Sequence, residues 1–118
     1  MAFLSENMGI RGLLQYIGDY KAVMLCCIAE GAYSNVLMDN RQWLLASCNL
    51  GIIERNCPYH YLLRINKSVL VNRDCILMID YNWYVIVIAD AGMFGMSDRC
   101  RYKLKASLRQ NGFIILPK

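Results

Sequence analysis

With 118 residues, of which 57% are hydrophobic and 19% charged, the chain has the size of one domain that can close its own core, and disorder is excluded for most of its length. Its longest uncharged apolar runs, 22–29 and 83–89, fall well short of the roughly 20 residues a membrane helix needs, so no membrane insertion is expected. The net charge of +4 is uneven: residues 1–63 hold four Lys and Arg against five Asp and Glu, and residues 64–118 hold nine against four. That asymmetry points to a polyanionic partner, or, on the bland reading, to a solvated basic helix.

Residues 1 to about 12 mix Gly, Ser and Asn with isolated apolar residues, and a loose lead-in is expected there. Glu6 falls early, and no basic start leads into an apolar run, so this is not a secretory signal and the cytoplasm is the expected compartment. From Leu13 onward, short apolar segments are broken by turn residues every eight to twelve positions, which predicts many short strands. Leu13 to Ile17 reads as the first, closed by Gly18-Asp19. Val23 to Ala29 suits a strand buried on both faces, with a buried helical turn as the other reading. Tyr33 to Met38 and Gln42 to Ala46 flank Asp39-Asn40-Arg41 and read as a β-hairpin.

Ser47 stands as N-cap of a short helix over about 48–56, which must stop before Pro58. Tyr59 to Ile65 returns to extended structure. Cys75 to Tyr81 and Trp83 to Ala89, rich in Ile, Val, Tyr and Trp, are two further strands around Asn82; Trp83 and Tyr84 suit packing more than base stacking. Asp90-Ala91-Gly92 is a turn before a short strand, Met93 to Met96. Ser97 caps the most substantial helix, about 98–110, with Cys100, Leu104 and Leu108 as its buried stripe, Arg99, Arg101, Lys103, Lys105 and Arg109 largely elsewhere on its surface, and Asn111-Gly112 as its stop. Residues 113–118 form an edge strand or a tail.

Six cysteines (Cys26, Cys27, Cys48, Cys57, Cys75, Cys100) lie mostly in apolar runs, and buried free thiols account for them better than a disulfide framework. Cys57-Pro-Tyr-His60 offers two ligands where zinc takes three or four from protein. No metal and no cofactor is expected. With one histidine, no paired carboxylates at a recognisable spacing and no glycine-rich phosphate loop, the usual catalytic constellations are absent, so the chain is not expected to be an enzyme.

The stretch Arg64-Ile65-Asn66-Lys67-Ser68-Val69-Leu70-Val71-Asn72 sets cations and small hydrogen-bonding groups among apolar anchors. A segment of this kind can be pinned to a core while presenting polar tips, as phosphate and base-edge recognition requires, although a generic strand-to-turn corner uses many of the same residues. It resembles the signature of the LytTR DNA-binding domain, Phe-Arg-Ile/Val-His-Arg/Lys-Ser followed by a variable residue and Leu/Ile-Val-Asn. Two other stretches agree in order and spacing: Ala29-Glu30-Gly31-Ala32-Tyr33-Ser34 is similar to the family's Glu-Gly-Asn-Tyr element, and Met96-Ser97-Asp98-Arg99-Cys100-Arg101 to the Val-Ser-Arg-Arg segment that opens its C-terminal helix. Leu63, Ala32, Asn66 and Asp98 depart from the pattern.

The resemblance implies a mostly β fold, an elongated antiparallel multi-sheet domain with short helices at about 48–56 and 98–110, spanning 1–118. It implies a sequence-specific transcription regulator of the response-regulator kind that inserts loops, not a recognition helix, into the grooves of double-stranded DNA. The site residues it implies are Tyr33, Ser34, Asn35, Arg64, Asn66, Lys67, Ser68, Ser97, Arg99 and Arg101, with two copies on a repeated site and a separate sensor or regulator as further partners. Whether the chain is complete or a piece that lacks a receiver domain stays open. The alternative is a β-rich protein-interaction module on the same fold that has lost tight DNA binding.

Overall fold

The structure, a computed structural model, describes residues 8–57, 62–80, 85–88, 90–103 and 115–116. The mostly β expectation holds: among the described residues nine strands form two sheets, which span 44 × 27 × 26 Å. The first sheet contains β1 (Met24–Glu30), β2 (Tyr33–Met38), β3 (Trp43–Ala46), β4 (Leu62–Asn66) and β5 (Val69–Asn72) in the order β3-β2-β1-β5-β4, all antiparallel. The second contains β6 (Ile76–Asp80), β7 (Val85–Ile88), β8 (Gly92–Gly95) and β9 (Ile115–Leu116) in the order β8-β7-β6-β9. It departs from the expected antiparallel pattern in one place, because β9 joins β6 in parallel.

The first sheet is covered on both faces, which explains why its strands are nearly continuous apolar runs. Along β2, Val36 and Met38 enter one core and Leu37 the other, as the two-residue period requires. In β1 a bulge between Met24 and Cys26 shifts that alternation. One core lies under two helices, α1 (Ile10–Tyr20) and α2 (Leu50–Asn56), and includes Leu13, Ile17, Leu50, Ile53 and Leu70. The other lies between the sheets and includes Leu25, Ile65, Val71, Ile79, Ile86 and Ile88.

Three expectations are corrected. Leu13 to Ile17 belongs to α1 and is not a strand, and order begins earlier than a loose lead-in to residue 12 allowed: Met8 bridges Ala46 and the helix starts at Ile10. Ile10, Leu13, Leu14 and Ile17 form a stripe at three- and four-residue spacing, a pattern that a five-residue window cannot separate from alternation. The cap of α2 is Asn49, whose side chain accepts from the Ile52 amide at 3.0 Å, not Ser47, whose own amide donates to the Met8 carbonyl. The α1 helix is additional to the two helices expected; the second of those, α3, is helical over 98–103. The expected features at 1–7, 58–61, 81–84 and 104–114, including Trp83, Tyr84, Leu104, Leu108 and the Asn111-Gly112 stop, lie outside the described residues.

Candidate nucleic-acid interface

Strand β4 is the edge of the first sheet, and it is where the second sheet is stitched on. The Ser97 amide donates to the Ile65 carbonyl at 2.8 Å, and the Asn66 side-chain amide donates to the Gly95 carbonyl at 2.8 Å. These bonds set the start of α3 beside the β4–β5 hairpin. As expected, Ser97 caps α3, its hydroxyl accepting from the Cys100 amide at 3.2 Å.

An open cleft of about 480 Å³ forms at this seam, lined by Glu54, Arg64, Asn66, Lys67, Ser97, Arg99, Cys100 and Lys103. It joins two segments singled out in the sequence, 64–68 and 97–101, which lie some thirty positions apart. Four cations and one carboxylate face it. Lys67, Arg99 and Lys103 are exposed, and among the described residues none of the three has a carboxylate partner. Arg99 and Lys103 share one face of α3 because they are four residues apart. Asp98 is exposed and does not line the cleft.

The β1–β2 turn projects from the same end of the sheet. Ile28 pairs with Asn35 on one side and Val69 on the other, and the Ala29 amide donates to the Ser68 carbonyl at 2.8 Å. Two strand spacings, about 10 Å, therefore separate β2 from β5 at that end. Tyr33 is 39% exposed there.

Most of the other expected site residues are engaged by partners within the protein. Ser34 is fully buried and its hydroxyl donates to the Cys48 carbonyl at 2.8 Å, which removes it from any ligand. Asn35 donates through its side chain to Glu30. Asn66 has both ends of its amide engaged, since its oxygen also accepts from the Ser68 amide at 2.7 Å. Arg64 donates from Nε to the Asn66 carbonyl at 3.0 Å and from Nη2 to the Lys67 carbonyl at 2.7 Å, and Nη1 pairs with Glu54 at 3.3 Å. Ser68 is half-buried beside Lys67. Arg101 is half-buried and lies outside the cleft lining.

Glu54 and Lys103 were missing from the sequence-derived set. Lys103 had a signal, its four-residue offset from Arg99; Glu54 had none, because α2 meets the hairpin only in three dimensions. Cys100 is buried at the cleft wall, and burial pushes its thiol up to about 11 despite Lys103 nearby. It is therefore protonated at neutral pH and is no activated nucleophile. Among the described residues no group of three or more His, Cys, Asp and Glu could hold a metal ion. No model of a known protein family matches the chain, and no curated protein matches it.

Proposed function

We propose that this chain is a LytTR-like, sequence-specific DNA-binding transcription regulator that grips duplex DNA with the cationic cleft and the neighbouring β1–β2 turn. The observation that carries the reading is the meeting of Lys67, Arg99 and Lys103 in one cleft, with a single carboxylate that Arg64 already holds. Unpaired cations on a rigid β scaffold displace counterions from phosphates, and a guanidinium can also fork onto a guanine edge. Two copies on a repeated site, a cytoplasmic location and regulation by a separate protein belong to the same proposal.

The experiment is selection of bound sequences from a randomised duplex pool, followed by titration at several salt concentrations. A recurrent motif and an affinity that falls steeply with salt are expected. On the selected site, Arg99→Ala should cost about 1–3 kcal/mol and little on random duplex if the guanidinium reads a base. Lys67→Ala should weaken both, and an unchanged dissociation constant would remove Lys67 from the interface.

The engagement of Asn66, Arg64 and Ser34 by partners within the protein favours one second reading, a protein-interaction module on this fold, because it leaves few groups for base readout. Pool selection that enriches no motif, with weak retention that any competitor DNA removes, would support it.

A further inference from the structure

The β4–β5 connection is a two-residue loop, Lys67-Ser68, between Asn66 and its partner Val69. Two-residue hairpins favour turns with positive φ, which match the twist of the strands. Neither Lys67 nor Ser68 has a positive φ. The hairpin instead carries a register shift between Arg64 and Asn66 and relies on side chains to satisfy its turn. Asn66 accepts the Ser68 amide, and Arg64 reaches over the loop to bind the carbonyls of Asn66 and Lys67. Glu54, from α2, holds the remaining side of that guanidinium.

We propose that Arg64 and Glu54 form a lock that sets the β4–β5 turn, so that Lys67 is presented to the cleft in a fixed position and Arg64 acts as a positioning residue. The proposal rests on the DNA-binding reading for its consequence. Three guanidinium donors are engaged within the protein, on acceptors whose spacing fits a planar fork; a lysine ammonium keeps the charge and lacks the fork. Among the described residues Glu54 is the one carboxylate in a cleft proposed for a polyanion. Its charge alone would weaken DNA binding, whereas as the anchor of Arg64 it would strengthen binding through Lys67.

The two accounts predict opposite signs for Glu54→Gln. Affinity is read by fluorescence anisotropy with a fluorescein-labelled duplex of mixed sequence at fixed salt. The lock predicts that Glu54→Gln weakens binding about threefold, although the cleft becomes more positive. It predicts that Arg64→Lys weakens binding about tenfold with an unchanged salt slope, because the number of cations is the same. Amide hydrogen exchange at Ser68, whose amide the Asn66 side chain holds, should quicken in both variants when measured without DNA. Tighter binding by Glu54→Gln, wild-type affinity in Arg64→Lys, or unaltered exchange at the turn would each overturn the lock. Glu54 is on the surface, so its variant tests the idea even if Arg64→Lys folds poorly. A wild-type protein that ignored duplex would sink the DNA reading, and the exchange rates would then decide the lock by themselves.

Discussion

At the scale of single residues, the polar groups of the 64–72 stretch divide by direction. Lys67 is exposed, while Arg64 binds back onto the hairpin and Asn66 ties the hairpin to β8. Asn72 is 1% exposed; its amide donates to the Met24 carbonyl at 2.8 Å and its oxygen accepts from the Asp74 amide at 2.9 Å. It ties β5 to β1 and caps the 3-10 turn Arg73–Cys75 that leads to the second sheet. Asn72→Ala leaves the Met24 carbonyl buried without a donor, and should cost about 1–3 kcal/mol in urea unfolding. If stability is unaffected, water has replaced the amide and the residue is no staple.

At the scale of elements, α1 shows burial overriding local propensity. It contains Gly12 and Gly18, each worth about 1 kcal/mol against a helix, and holds because Leu13 and Ile17 are buried against the sheet. The two glycines should respond differently. A Cβ at Gly18 meets nothing within 4 Å, so Gly18→Ala should stabilise by about 0.5–1 kcal/mol. A Cβ at Gly12 would meet the Met8 Cβ at 3.0 Å, and Gly12→Ala should gain less, or lose stability if Met8 cannot give way. Equal gains in urea titrations would mean that Met8 moves freely over the helix.

At the scale of the molecule, two cores share one sheet, and thiols sit in both. Burial pushes Cys26 up to about 12 and Cys57 up to about 11 from the usual 9.0, and Cys27, enclosed among other thiols, well above it. Such groups keep their protons in the folded chain after the unfolded chain has lost them. Their contribution is full below pH 9.0, and it drains away as pH rises through the folded values near 11 and 12. The thermal midpoint should therefore fall above pH 9.0. A Cys26→Ala, Cys27→Ala variant should fall less steeply, since fewer buried thiols titrate; an identical slope would assign the loss to other groups.

Local signals in the chain were sufficient for the β2–β3 hairpin, the Ser97 cap and the free thiols, because turn chemistry and capping act within a few residues; they left β1 open between a strand and a buried helical turn. The family resemblance, and not local periodicity, marked Lys67 and Arg99 as candidates. Only the tertiary structure decided that the two meet in one cleft, that Glu54 joins them from α2, that Ser34 is buried and the Asn66 amide engaged at both ends, and that residues 10–20 form a helix. Those outcomes depend on which strand lies beside which and on what a short apolar segment packs against. Such contacts close over long stretches of chain, and no window of local sequence contains both partners.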